Sequence, residues 1–244
     1  LGDVYKRQDL WKEDKKTETN EVMFALQHSA KHKIASNYGK SYYPSDYSPN
    51  AGWADYYGNE DFFKAYPNDD RKEWNYMTEW KIKSGEIIPY TESADKLPAI
   101  SKYYDYDEGA PGKSAQSNGI TCIYRYAEVL LMYAEASTRA TNSVNQDALN
   151  AIQEVQKRAG YQNRQIELTT TTEPTAFLAA VSNERGWEFF AEMKRWFELV
   201  RLEKVKEVRA EEWDASTFNT NHHYYFPVPY QQVDLAGWTN NAGY

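Results

Sequence analysis

Residues 124–136 read YRYAEVLLMYAEA, and this stretch decides the fold. Across residues 123–136 the apolar side chains recur three or four positions apart, at Ile123, Tyr126, Ala127, Leu130, Leu131 and Ala134. This spacing puts them on one stripe of a helix, so we predict an amphipathic helix over residues 123–136. Cys122 is the single cysteine. We interpret it as a small buried hydrophobe of this apolar helical stretch rather than as a nucleophile.

A second helix is predicted directly after the first. Asn145 is a suitable N-cap, and Gly160 is a suitable residue on which to end the helix. Between them, one apolar face is formed by Ala148, Ile152, Val155 and Ala159. The connection at residues 141–144 is short, so the two helices should pack as an antiparallel hairpin. Such a hairpin needs a further partner, which is typical of tetratricopeptide-like repeats, although the sequence offers one copy only.

Upstream of the hairpin the pattern is less regular. Residues 21–29 (EVMFALQHS) alternate in polarity and predict a short strand. Residues 38–66 are rich in glycine and proline and predict a long loop. Residues 71–108 combine strand-like runs with turn signals, so their assignment stays open.

Downstream of the hairpin we predict one more long helical stretch and an extended end. Pro174 is well placed as a first helical residue, and the amphipathic pattern runs from there to about Lys206. From His222 onward the chain should be extended, because Pro227 and Pro229 oppose a helix.

Charge and hydropathy exclude several classes of function. The 244 residues carry 28 Lys and Arg against 36 Asp and Glu, a formal net charge of −8. Nucleic acids and anionic membrane surfaces both require a basic face, so neither is an expected partner. No apolar run approaches the roughly 20 residues that a membrane-spanning helix needs.

The loop over residues 38–66 is the candidate binding segment because it concentrates aromatic rings. A polar loop has difficulty burying many rings, and exposed rings can stack on the apolar face of a sugar while neighbouring Asp and Asn side chains bind its hydroxyls. The candidate ligand contacts are Trp53, Tyr56, Tyr57, Tyr42, Tyr43, Tyr47 and Asp55. Three further rings of the segment are instead expected to fold onto the core, namely Phe62, Phe63 and Tyr66.

Four segments, in order, resemble the C-terminal half of the SusD/RagB family. They are EVMF (residues 21–24), FFKAYPNDDR (62–71), YRYAEVLLMYAEA (124–136), and ERGWEFFAEMKRWFELVR (184–201) together with YFPVP (225–229) and NAGY (241–244). The third and fourth are the specific ones. Gly186 and Glu203 depart from the family pattern, where a basic and a small residue are common.

The resemblance implies both a fold and a function. The fold is mainly α, with tetratricopeptide-like helix pairs, a loop-rich segment and short strands. The function is surface capture of oligosaccharides or polysaccharides and their delivery to a SusC-like TonB-dependent transporter. The protein would be a non-enzymatic lipoprotein on the extracellular face of a Bacteroidota-type outer membrane. No cofactor, metal or catalytic residue is implied.

The resemblance also implies a domain organisation. Residues 21–244 correspond to the SusD-like C-terminal region, with the aromatic loop at 38–66 and a helical core at 120–206. Residues 1–20 are expected to be the remnant of an N-terminal half, within which the opening LGDVYKRQ (1–8) carries no fold signal. The lipid-bearing cysteine would lie upstream of this chain.

The charged residues of the signature segments are interpreted as structural. Charges that are partly buried must be paired, so these side chains should hold helices together rather than touch a ligand. The residues concerned are Arg125, Glu128, Glu135, Glu184, Arg185 and Arg195.

Three alternatives remain open at the level of sequence. Clustered carboxylates could belong to a fragment of a glycan-degrading enzyme, and they occur at Asp105, Asp107 and Glu108 and again at Asp69 and Asp70. A helical-repeat scaffold for protein partners is the second alternative, and a peptide-capturing member of the same family is the third. The pair His222–His223 is a poor metal site, because neighbours in an extended segment point to opposite faces.

Overall fold

The computed structural model describes residues 10–12, 15–29, 31–48, 51–103, 117–208 and 224–244. The chain divides into two units, Leu1–Glu192 and Met193–Tyr244. Both hydrophobic cores and the aromatic loop belong to the first unit.

The described part of the first unit is built from helices and short paired strands. Its helices are α1 (Tyr38–Tyr42), α2 (Glu60–Ala65), α3 (Asp70–Asn75), α4 (Tyr126–Thr141), α5 (Gln146–Arg158) and α6 (Pro174–Glu188), with a 3-10 turn at Tyr90–Glu92. Its strands are β1 (Val22–Gln27), β2 (Tyr76–Met77), β3 (Glu79–Lys81), β4 (Ile87–Pro89), β5 (Ala99–Ile100) and β6 (Ile120–Arg125). They pair antiparallel as β1–β6, β2–β5 and β3–β4.

The helical hairpin is confirmed, and its ends follow the predicted local rules. The Asn145 side chain accepts a hydrogen bond of 2.8 Å from the backbone N–H of Ala148 and caps α5. Gly160 follows α5 with a φ of +87°, a conformation that suits glycine. Pro174 occupies the first turn of α6, and the α4–α5 pair packs with α6 around the first core. The mainly α fold with tetratricopeptide-like helix pairs is therefore the observed architecture.

The start of α4 corrects the sequence prediction. Helix α4 begins at Tyr126, and the preceding residues form β6, in which Cys122 lies opposite Ala25 of β1. The prediction of helix for residues 123–125, and of a helical environment for Cys122, is therefore wrong. Pairing with β1 satisfies the backbone groups of this segment in a way that its apolar pattern alone does not reveal. The expected burial of Cys122 is confirmed.

The long helical stretch predicted from Pro174 to Lys206 is also corrected, because α6 ends at Glu188. Side chains distant in sequence hold the following backbone in a non-helical conformation. Lys102 donates a hydrogen bond to the carbonyl of Phe190 at 2.7 Å, and Tyr103 donates one to the carbonyl of Ala191 at 2.9 Å. Ala191 has a φ of +58°, which ends a right-handed helix. Long-range contacts here override a continuous amphipathic pattern.

The second unit contains three short helices in its described residues, α7 (Arg195–Arg201), α8 (Val205–Val208) and α9 (Tyr230–Ala236). Helix α9 corrects the prediction of an entirely extended end. Pro229 is its N-cap residue and stands before the first turn, where the missing N–H of proline costs no internal hydrogen bond.

Candidate functional site

The segment that carries the candidate rings is attached to the fold by its backbone. The N–H groups of Trp53, Ala54 and Asp55 donate to the carbonyls of Lys40, Tyr43 and Ser41 at 2.6, 3.0 and 3.0 Å. At the ends of the segment, Gly52 donates to Pro44 at 2.9 Å and Gly58 to Pro98 at 2.9 Å. These bonds fix residues 52–58 against α1 and against the segment before β5.

Gly52 shows how closely this segment approaches its support. A Cβ atom at this position would lie 2.0 Å from the carbonyl oxygen of Tyr43, which is far inside contact distance. Only glycine fits there without moving the backbone. The segment therefore presents its side chains from a defined position.

Two of the candidate rings face solvent. The exposed fraction is 52% for Trp53 and 61% for Tyr56, and the Asp55 carboxylate between them is also exposed. Lys40 Nζ lies 4.9 Å from the centroid of the Trp53 ring, a cation–π distance. Residues 52–58 thus expose two aromatic rings and one carboxylate, and the ammonium group of Lys40 in α1 lies beside the Trp53 ring.

Tyr57 lies half-buried beside these rings, with its hydroxyl engaged. It donates a hydrogen bond to the carboxylate of Asp95. Burial, together with this bond, raises the pKa of Tyr57 well above the ordinary tyrosine value. Tyr57 therefore keeps its proton at any physiological pH and remains a hydrogen-bond donor held in one orientation.

The remaining three candidate tyrosines are fully or partly buried. Tyr42 and Tyr43 are 7% and 0% exposed and belong to the second core. Burial raises the pKa of Tyr42 to about 12, and its ring centroid lies 5.8 Å from that of Tyr56. Tyr47 is partly buried, and its ring centroid lies 5.2 Å from that of Tyr43. The loop buries more of its rings than the sequence argument expected, because residues distant in sequence cover them.

The folding of Phe62, Phe63 and Tyr66 onto the core is confirmed. Phe62 stacks on Phe190 with a centroid distance of 6.0 Å, and Phe63 packs edge-on against Tyr76 at 4.8 Å. Tyr66 is 2% exposed, and its hydroxyl donates a hydrogen bond of 2.6 Å to the backbone carbonyl of Trp187 in α6.

A buried network of charges links helices α3, α5 and α6 and strand β6 of the first unit. It joins five carboxylates and four cations: Glu21, Asp69, Glu184, Glu188 and Glu192 with Arg71, Lys102, Arg125 and Arg158. Arg125 is 0% exposed and reaches Glu21 at 2.6 Å, Glu188 at 2.5 Å and Glu192 at 2.8 Å.

The pKa values in this network show how burial competes with pairing. Burial by itself disfavours the charged form of Arg125, but the surrounding carboxylates outweigh it and raise its pKa well above the ordinary value. Burial would likewise raise the pKa of Glu21, and the guanidinium groups of Arg158 and Arg125 hold it below its usual range. For Glu184 burial prevails over Arg71, and the pKa is raised.

Pairing of the other signature charges is confirmed as well. Glu128 and Arg185 lie 3.5 Å apart, Glu135 pairs with Arg139 at 2.8 Å within α4, and Arg195 pairs with Glu198 at 2.9 Å within α7. These side chains are engaged with protein partners, in agreement with a structural role. The correction concerns Arg125, which stands at the end of β6 and not on a helix.

The acidic clusters weighed for catalysis have different positions. The Asp69 side chain caps α3 and pairs with Arg71, while Asp70 pairs with Arg164. Asp105, Asp107 and Glu108, and also His222 and His223, lie outside the described residues. Within the described residues, no group of three or more His, Cys, Asp or Glu side chains is arranged to hold a metal ion.

Comparison with known proteins identifies the family to which this mainly α fold belongs. The sequence model of the SusD family matches residues 78–244. The chain therefore belongs to the SusD family, and the resemblance found in the sequence is confirmed. Among the described residues, no helix is long and apolar enough to cross a membrane.

Individual relatives agree with this assignment. SusD-like protein P2 of Formosa agariphila is 28% identical over 200 residues, which cover 74% of this chain and 39% of that protein. A SusD superfamily protein from Parabacteroides distasonis superposes with a TM-score of 0.77 at 22% identity, covering 98% of this chain and 53% of that one. Surface glycan-binding protein A from Bacteroides thetaiotaomicron, in complex with laminarihexaose, gives 0.66 at 22% identity, with 97% and 55% covered. The chain thus spans about two fifths of the first relative and about half of the two solved chains.

Sequence reasoning missed Lys40 and Asp95, which complete the site beside Trp53 and Tyr57. Lys40 stands in α1, outside the run of rings around Trp53, and Asp95 is separated from Tyr57 by several secondary-structure elements. Only the fold brings these charges to the rings.

Proposed function

We propose that this protein captures oligosaccharides at the cell surface and delivers them to a SusC-like TonB-dependent transporter. Membership of the SusD family supports the proposal. A structural relative is a surface glycan-binding protein in complex with laminarihexaose. In this proposal the protein binds without catalysis and without a cofactor, and an N-terminal lipid holds it on the extracellular face of the outer membrane.

The observation that carries the proposal is the exposure of Trp53 and Tyr56 on a segment fixed by backbone hydrogen bonds. Removing the exposed surface of two large rings from water is favourable. The C–H face of a pyranose is an apolar surface of matching size that can cover such a ring. The Asp55 carboxylate between them can accept hydrogen bonds from sugar hydroxyls. Because the segment is already ordered, little conformational entropy is lost on binding.

The seven candidate residues take different roles in the proposed site. Trp53, Tyr56 and Asp55 contact the ligand directly, and Tyr57 contributes its ring edge while Asp95 orients it. Tyr47 borders the site. Tyr42 and Tyr43 act as the supporting layer, since buried rings cannot offer a face to a ligand.

The first test is Trp53→Ala in the full-length protein, with Trp53→Phe and Lys64→Ala as matched controls. Stacking on an aromatic ring contributes about 1–3 kcal/mol per contact, by analogy with bases on aromatic platforms, so Trp53→Ala should weaken binding about tenfold or more. Trp53→Phe keeps a ring and should recover much of the affinity. Lys64 is exposed and pairs with Glu60 of the same helix α2, so Lys64→Ala should bind as the parent does.

The measurement begins with affinity gels that contain neutral or acidic polysaccharides, in which a polymer that binds the protein retards its migration. Oligosaccharides prepared from that retarding polymer are then titrated by calorimetry. Unchanged affinity both in Trp53→Ala and in the double variant Tyr56→Ala/Tyr57→Ala would rule out the loop as the binding site. A reducing-end assay on the same mixtures separates a binder, which releases nothing, from a glycan-cleaving enzyme. Uptake of labelled oligosaccharide by cells carrying Trp53→Ala tests delivery to the transporter.

A further inference from the structure

A concave surface lies outside the exposed part of the aromatic loop. It is a groove of about 430 Å³ between the end of α3 and strands β2 and β3. This volume falls within the range of ~300–1,000 Å³ that small-molecule sites usually have. Its lining includes Trp74, Tyr76, Thr78, Glu79, Trp80 and Tyr47.

Three aromatic side chains of this lining, one each from α3, β2 and β3, differ in exposure. Tyr76 and Trp80 are 4% and 3% exposed, whereas Trp74 is 42% exposed. Trp80 is fixed by a hydrogen bond of 2.8 Å from its indole N–H to Asp46, and the carbonyl of Trp74 accepts a bond of 2.7 Å from the Ser101 hydroxyl. Trp74 therefore presents a partly exposed ring from an anchored backbone.

The polar groups of the groove favour an uncharged ligand. Glu73 is paired with Arg164 at 2.8 Å, and the exposed charges that remain in the lining are the Glu79 carboxylate and the Lys81 ammonium group. One negative and one positive charge leave no excess of either sign, so neither an anionic nor a cationic ligand gains from the local field. The exposed Thr78 hydroxyl adds a hydrogen-bonding group suited to a polyhydroxylated molecule.

The groove is joined to the aromatic loop through Tyr47. Tyr47 lines the groove, forms an antiparallel bridge with Ile82, and packs against Tyr43 of the loop. The next residue, Ser48, donates its N–H to the carbonyl of Lys81 at 2.8 Å. The rings of the loop and the groove therefore belong to one connected part of the first unit.

We propose that this groove is a second carbohydrate-binding site, which takes a segment of a neutral oligosaccharide with Trp74 as its stacking surface. The inference rests on the proposed function, because it assigns the class of glycan and adds a subsite to the loop. A ligand that occupies both places gains from two weak contacts on one chain, so that loss of either weakens binding without abolishing it.

The test uses the full-length protein and the same polysaccharide panel, with Trp74→Ala as the principal variant. We expect Trp74→Ala to bind the retarding neutral polymer about tenfold more weakly. Trp74→Phe should recover much of the loss, and Thr78→Val should weaken binding while keeping the shape of the side chain. Lys83→Ala, on the exposed β3–β4 turn and outside the groove lining, is the matched control and should bind as the parent does.

The outcomes separate the groove from the loop. If Trp53→Ala weakens binding while Trp74→Ala and Thr78→Val bind like the parent, the groove is not a site and the loop proposal stands. If Trp74→Ala weakens binding and Trp53→Ala does not, the groove stands and the loop proposal fails. Retardation by acidic polymers alone would overturn the neutral class, and retardation by no polymer would overturn both proposals. Equal thermal unfolding midpoints of the variants exclude misfolding as the cause.

Discussion

Replacing Arg125 by alanine is the most direct test of the buried charge network. The guanidinium group donates five hydrogen bonds: from Nε to Glu192 at 3.0 Å, from Nη1 to Glu21 at 2.6 Å and Glu188 at 2.5 Å, and from Nη2 to the Glu188 carbonyl at 2.8 Å and to Glu192 at 2.8 Å. Its guanidinium carbon also lies 4.5 Å from the centroid of the Phe189 ring. Arg125→Ala removes all of these contacts at once.

The expected cost follows from what remains in the network. Removing one partner of a buried ion pair typically costs about 3–5 kcal/mol, because a charge is left without compensation. In this network Glu21 and Glu188 keep Arg158, and Glu192 keeps Lys102, so no carboxylate loses its last cation. We therefore expect the lower end of that range, about 3 kcal/mol. At about 2–4 °C per kcal/mol for a chain of this size, the melting temperature should fall by about 6–12 °C.

The assay is urea unfolding followed by circular dichroism at pH 7, with Arg139→Ala as the control. The Arg139 side chain is 48% exposed and pairs with Glu135 one turn away, so its loss should cost no more than about 0.5 kcal/mol. An Arg125→Ala protein as stable as Arg139→Ala would refute the reasoning. So would a variant of unchanged stability that no longer binds glycan, since Arg125 would then act in recognition.

Three further predictions concern single side chains. Glu21→Gln should cost about 3 kcal/mol at pH 7. That cost should shrink as the pH is lowered to about 3. The pKa of Glu21 is lowered in the folded protein, so its ionised carboxylate stabilises the fold near neutral pH, and this stability is lost as the pH falls through that pKa. Urea unfolding across this pH range checks the cost and its pH dependence. Asn145→Ala should cost about 1 kcal/mol through loss of the α5 cap, whereas Asn145→Asp should cost little, again by urea unfolding. Gly52→Ala should weaken glycan binding in calorimetry while helical content is unchanged, because the added Cβ collides with the Tyr43 carbonyl and displaces the loop.

Local chemistry explains which parts of the fold could be predicted. The α4–α5 hairpin, the Asn145 cap, Gly160 at its positive φ and Pro174 at the start of α6 depend on neighbours in sequence, and the structure has them all. The short strand predicted over residues 21–29 is present as β1 (Val22–Gln27), and its partner is the distant strand β6.

Tertiary contacts explain the errors. The apolar pattern predicts that the helix begins at residue 123, but residues Ile120–Arg125 pair as a strand with β1 from far upstream. The amphipathic pattern after Pro174 continues through residues 189–194. There, the side chains of Lys102 and Tyr103 donate hydrogen bonds to the carbonyls of Phe190 and Ala191 and hold the backbone in a non-helical conformation. Neither effect leaves a signal in the local sequence.

The candidate site shows the same division. The density of rings identified the segment, but could not tell which rings would be exposed. That choice depends on residues distant in sequence: the Tyr103 ring stacks on Tyr42 of the loop at 5.6 Å and itself packs edge-on against Trp11 at 6.2 Å. The groove beside Trp74 could not be predicted from the sequence, because its lining residues come from several short elements.

The residues that identify the family and the residues proposed to bind glycan have separate physical roles. Glu21, Arg71, Arg125 and Glu188 come one from each of the four signature segments, and all of them meet in the buried network. The rings of the loop take no part in it. The loop segment is held by backbone hydrogen bonds, which do not depend on the identity of its exposed side chains. Exchanging Trp53 or its neighbours can therefore change affinity or specificity while the network maintains the fold, and stability and recognition should respond to different mutations.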